Sequence, residues 1–169
     1  MGLKIRKNRF NYFPTSRNEL KDIIKKRIDK EGINVDLNDI DTSEITDMNG
    51  LFTNTNFCGN IADWDTSNVT NMADMFQYCQ GFIGEGIENW DVSKVVNFSG
   101  MFMGCKKFNA NVGKWDITSA EDLDYMFYGC EKFNQDLRTW KNAANIKHTV
   151  KMFKNCPTLN QEYIPEWAN

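Results

Sequence analysis

The chain has 169 residues, enough for one domain whose core needs no disulfide staples. Hydrophobic residues make up 41% and charged residues 25%, with 11 Gly and 3 Pro, which excludes collagen-like, disordered and low-complexity classes. The net charge of -3 divides unevenly: residues 1–39 hold 10 Lys/Arg against 6 Asp/Glu, and the remainder 10 against 17. A basic beginning therefore precedes an acidic body, and an acidic body is a poor general ligand for phosphate backbones.

The first nine residues carry Lys4, Arg6, Lys7 and Arg9 with no apolar stretch behind them. This predicts no secretory signal, and no later apolar run approaches the roughly 18 residues of a membrane span. A cytoplasmic location is expected, with the cell surface as the alternative. The same basic arm, with Lys21, Lys25, Lys26 and Arg27, offers the one route to nucleic acid. Ser16-Arg17-Asn18-Glu19 matches a capping box, and Leu20, Ile23, Ile24 and Ile28 then give an amphipathic helix closed by Gly32. Ile33 to Leu37 alternate like a strand. Residues 1–39 are thus expected to form an arm and a helical cap.

From residue 40 to 167 the chain repeats. Trp64, Trp90, Trp115, Trp140 and Trp167 are its five tryptophans, separated by 26, 25, 25 and 27 residues. Met75-Phe76, Met101-Phe102, Met126-Phe127 and Met152-Phe153 recur between them, with Leu51-Phe52 in a first copy lacking tryptophan. Cys79, Cys105, Cys130 and Cys156 follow each later pair, then Phe82, Phe108, Phe133 or Leu159. The first copy departs, with Thr55 in the cysteine column and Phe57 one residue early. Met72 to Cys79 has i, i+3, i+4, i+7 spacing and predicts a short helical turn, preceded by a short strand over Ser67 to Thr70. A 25-residue unit of this kind cannot bury its own apolar face, so the copies must stack.

The unit W-D-x-S-x-V-x-x-M-x-x-M-F-x-x-C-x-x-F-N resembles the BspA-like leucine-rich-repeat family of bacterial surface proteins and lipoproteins, over residues 40–167. Phe13-Pro14 ahead of the helix resembles that family's N-terminal cap. The resemblance implies an interaction module without a shared catalytic site, used for adhesion or host contact. With the residue pattern it gives the expected fold class: α/β, a leucine-rich-repeat-like right-handed solenoid of about five short strand-plus-helical-turn rungs with an N-terminal helical cap.

Chemistry-bearing residues add little to this. The cysteines contain no C-x-x-C pair, so a zinc site is not expected, and their period suits buried thiols, the rival being disulfides between rungs. His148 is the single histidine, which excludes two-histidine metal motifs. Asp41, Asp65, Asp91 and Asp116 form a column that reads as turn formers, with a calcium ladder as the alternative. No catalytic residue, cofactor or metal is expected. Surface positions around the Met-Phe turn, namely Gln77, Tyr78, Met103, Lys106, Lys107, Tyr128, Glu131, Lys132 and Lys154, are the expected contacts for a protein partner. The expected function is non-catalytic protein binding, for example as an intracellular inhibitor, carried by a phage or mobile element, of a host enzyme or defence complex. Cell-surface adhesion is the alternative.

Overall fold

A computed structural model describes residues 9–140 and 144–168. Lys4, Arg6 and Lys7 of the basic arm fall outside the described residues. Helix α1 runs from Arg17 to Glu31, with Ser16 accepting from the Glu19 N–H and Gly32 at φ 92° closing the other end. The Glu19 carboxylate reaches back to the Thr15 N–H at 2.8 Å, so the capping box forms, displaced by one residue on its acidic side. Leu20 and Ile24 are buried against the first copy of the repeat. On the polar side Arg17 Nε donates to the Asn49 carbonyl at 2.6 Å and Lys21 Nζ to the Gly50 carbonyl at 2.8 Å. Burial lowers the pKa of Lys21, helped by the neighbouring Arg17 charge.

Each copy is a rung built of consecutive turns. In the second copy the N–H groups of Met72, Asp74, Phe76 and Tyr78 donate to the carbonyls of Asn97, Ser99, Met101 and Met103 in the third, at 2.6–2.9 Å. The same four columns donate from the first copy to the second, from the third to the fourth and from the fourth to the fifth. Every one of these bonds runs the same way, toward the later copy. The intervening amides turn inward: Met75 N–H donates to Met72, Gln77 to Asp74 and Cys79 to Phe76. Those bonds close tight turns, two of which need φ > 0 at their third residue. The structure supplies it at Asp74 (φ 54°) and Tyr78 (φ 55°), and in the same columns at Gly100, Gly104, Tyr125, Gly129, Lys151 and Asn155.

The expected α/β, right-handed leucine-rich-repeat-like solenoid of strand-plus-helical-turn rungs is therefore corrected. Among the described residues α1 is the one α-helix, the other helical pieces being three-residue 3₁₀ turns. Among the described residues pairing is confined to isolated parallel bridges such as Asp47 to Asn71, Asn71 to Asn97, Asn97 to Asp122 and Asp122 to His148, and no sheet forms among them. The helical turn over Met72–Cys79 fails because alternate amides are given to the neighbouring copy and left-handed residues interrupt the run. The strands over Ser67–Thr70 and Ile33–Leu37 fail because each segment is bent by a turn and carries at most one bridge.

Apolar columns stack as the backbone does. Phe52, Phe76, Phe102, Phe127 and Phe153 lie ring over ring at 5.2–5.7 Å. Phe82, Phe108 and Phe133 form a second stack at 5.8–6.2 Å beside the first. Each tryptophan staples its rung to an earlier segment: Trp64 Nε1 donates to Leu37, Trp90 to Ile61, Trp115 to Ile87, Trp140 to Val112 and Trp167 to Trp140, at 2.7–3.3 Å. The cysteines do likewise, as Cys79, Cys105, Cys130 and Cys156 donate to the carbonyls of Phe57, Phe76, Phe102 and Phe127 at 2.8–3.2 Å. All five cysteines are free thiols, and Cys58 alone is exposed. Thr55, in the cysteine column of the first copy, lies 3.4 Å from Cys79 Sγ.

The aspartate column forms turns. Asp41, Asp65 and Asp91 accept from the N–H and hydroxyl of Ser43, Ser67 and Ser93, and Asp116 from Thr118, at 2.7–3.1 Å. The Ser93 bonds hold the Asp91 carboxyl below its usual range. A second Asx column, Asp47, Asn71, Asn97 and Asp122, accepts from the amide two residues on.

Truncating Phe102, which stacks on both neighbours, is expected to cost about 3–5 kcal/mol in chemical unfolding. Trp115→Phe, which leaves the Ile87 carbonyl without its donor, should cost about 1–3 kcal/mol. At pH 8 a disulfide-exchange reagent should modify one thiol, Cys58, in the native protein and five in denaturant. Burial raises Cys79 and Cys156 from the ordinary 9.0 to about 11, and it also raises Cys105 and Cys130 well above the ordinary value. Folded-state values above the unfolded ones mean that this stability is complete below about pH 9 and lost as pH climbs through 11. Urea midpoints should fall over that window, less steeply in Cys105→Ala.

Candidate functional site

The turns that carry left-handed residues lie along one side of the stack, and their side chains frame an open, largely apolar groove. Tyr78, Gln80, Gly104, Lys106, Tyr128, Gly129, Glu131, Asn155 and Pro157 line it, around a volume of about 570 Å³. The floor is glycine backbone. Gly104 and Gly129 share φ 73°, and their Cα atoms are neighbours in consecutive rungs. The Tyr78 ring lies over Gly104, where a β-carbon would come within 2.4 Å of it, so Gly104 is what lets Tyr78 lie flat. Tyr78 is 42% exposed. Tyr128 flanks the groove further along, backed by Tyr125 at 5.9 Å between ring centroids, with Lys151 Nζ 5.6 Å from the Tyr125 ring. Lys106 and Glu131 pair across one side at 3.0 Å.

Four of the expected contact residues thus meet in one place: Tyr78, Lys106, Tyr128 and Glu131. Gln77 and Met103 pack on each other beside the groove, 3.9 Å apart, and Gln77 also donates to Asp74 Oδ1 at 2.5 Å, a carboxyl that burial raises. Lys107 turns toward a neighbouring depression that it shares with Ile33, Asn56 and Cys58. Lys132 and Lys154 are exposed and line neither. The sequence reading missed Gly104, Gly129 and Tyr125. The first two were marked by Gly-Cys endings that replace the Tyr-Cys of the second copy.

The remaining sequence candidates do not assemble. His148 is exposed and bridges Asp122 through its backbone. Among the described residues no three His, Cys, Asp or Glu side chains converge on one point. On α1, Arg27 is engaged within the fold, bonded to Glu31 at 2.5 Å and Asp39 at 2.7 Å and lying 5.2 Å from the Tyr12 ring. Its burial opposes the charge, but the two carboxylates outweigh it and raise its pKa. Arg9 pairs with Asp63. Among the described residues no helix is long and apolar enough to cross a membrane.

No curated protein and no solved structure matches the chain. One family model does, over residues 19–84 and 79–168, a span that takes in α1 from Glu19 onward and all five copies. It supports the reading as a repeat protein, without naming the BspA-like leucine-rich-repeat family that the unit resembles. Over that span the chain belongs to the family described as Mycoplasma protein of unknown function, DUF285.

Proposed function

We propose that the protein is a non-catalytic binding module that holds a protein partner in the groove of Tyr78 and Tyr128. The observation that carries this reading is the conformation of Tyr78. Its column holds Asn54, Gly104, Gly129 and Asn155 in the other copies, all residue types at ease with φ > 0. A bulky side chain there costs about 1–2 kcal/mol, and Tyr78 sets that cost against an exposed ring. Backbone strain of this kind persists where function needs the side chain more than the fold needs relief. An exposed and a half-buried tyrosine around an apolar floor, rimmed by a Lys–Glu pair, have the composition of a protein contact centre.

Tyr78→Gly separates the two roles. Gly is the residue of this column in the third and fourth copies, so the variant should fold and melt at the same temperature or higher, by up to about 1 kcal/mol of added stability. Immobilised wild type and variant are exposed to lysate of the source cells, and the retained proteins are compared by quantitative mass spectrometry. A protein retained at least tenfold more by the wild type is the expected result. Equal retention of every protein by the two overturns the reading.

A further inference from the structure

The forward bonding of the four donor columns has an end, while a fifth column, Thr70, Val96, Glu121 and Lys147, donates back to the preceding copy. In the fifth copy the donor columns are Thr149, Lys151, Phe153 and Asn155, and among the described residues none of these four N–H groups has an acceptor. The amides between them do, since Met152 N–H donates to Thr149 and Lys154 to Lys151. The closing segment leaves this edge alone. Tyr163 accepts from the Leu137 N–H and Trp167 donates to Trp140, so that segment covers the tryptophan side. Phe153 stacks on Phe127 on one face at 5.7 Å and is only partly buried. Val150 beside it is 50% exposed.

We infer that this edge docks a rung-like segment of another protein, entering with its carbonyls toward the four amides and laying an aromatic ring on Phe153. The interface already exists four times inside the molecule, where each rung receives the next in this way. Donor polarity opposes a symmetric pair of copies through this end, because four N–H groups from each copy would meet with the Lys147 carbonyl as the one acceptor of the backward column beside them. A head-to-tail pair is blocked as well, since α1 covers the first rung through Arg17 and Lys21. The occupant is acidic, because Lys151 and Lys154 stand on the edge and the unpaired N–H dipoles add positive potential.

The probe is a peptide of residues 120–134, the segment that already pairs with the third rung and that carries Glu121, Asp122, Asp124 and Phe127. Two measurements on the full chain decide the matter. In the free protein the amides of Thr149, Lys151, Phe153 and Asn155 should exchange with solvent at least a hundredfold faster than those of Phe76, Phe102 and Phe127. Titration with millimolar peptide should then shift the resonances of these four amides and slow their exchange, and a peptide with Phe127→Ala should bind at least fivefold more weakly. Protection of the four amides in the free chain overturns the inference. So does peptide addition that leaves them unmoved, or that moves only Tyr78 and Tyr128.

Discussion

Everything in this molecule depends on one arrangement of amides. Along the donor run of a rung alternate N–H groups are given to the following rung, and the others are spent on turns within their own. The division satisfies the backbone without strand or helix, and it forces the chain into the left-handed region twice per copy. Residues that tolerate that region, or that have their own reasons to be in it, then become fixed features of the repeat.

Side chains complete what the backbone begins. A rung's indole and thiol both reach back to carbonyls of earlier segments, as with Trp115 to Ile87 and Cys105 to Phe76, while its four amides reach forward. Each copy is thus tied to its neighbours by hydrogen bonds in both directions around a continuous column of phenylalanine rings. Stability in such an array is a sum of nearest-neighbour terms, and α1 replaces the missing neighbour at the first rung with cations laid on carbonyls. The groove of Tyr78 and Tyr128 draws on the same geometry, for its floor is smooth only where a left-handed position is glycine.

Much of this was legible in the residues. The spacing of Trp64, Trp90, Trp115 and Trp140 showed the repeat, the Asp–Ser pairs showed their turns, and Ser16 and Gly32 marked both ends of α1. The form of the rung was not legible. Spacing of i, i+3, i+4 and i+7 from Met72 to Cys79 arises equally from a helix and from successive three-residue turns that return the chain to the same face. The left-handed positions were legible in part, since Gly100, Gly104, Gly129, Asn54 and Asn155 are types that favour them, whereas Tyr78, Tyr125 and Lys151 are not. At the groove, variation between copies pointed to Tyr78 and Tyr128 but equally to Lys132 and Lys154, since variability marks every exposed column. What singled out the groove was the absence of a side chain at Gly104 and Gly129.

The tryptophan staple also sets the grain at which such a chain can change length. Trp90 reaches back to Ile61 and Trp115 to Ile87, and the edges that flank the intervening copy are alike on both sides. Losing or gaining one residue within the donor run of a rung, such as Met72 to Tyr78, would break its register with both neighbours, whereas the stretches outside it already vary, the bridged positions Asp47, Asn71, Asn97, Asp122 and His148 being 24, 26, 25 and 26 residues apart. Losing or gaining a whole copy would set like against like, with amides still facing carbonyls and ring still over ring. The architecture is thereby tolerant of duplication and excision by the repeat and intolerant of smaller edits within the donor run, so that its reach can be altered without redesigning any contact.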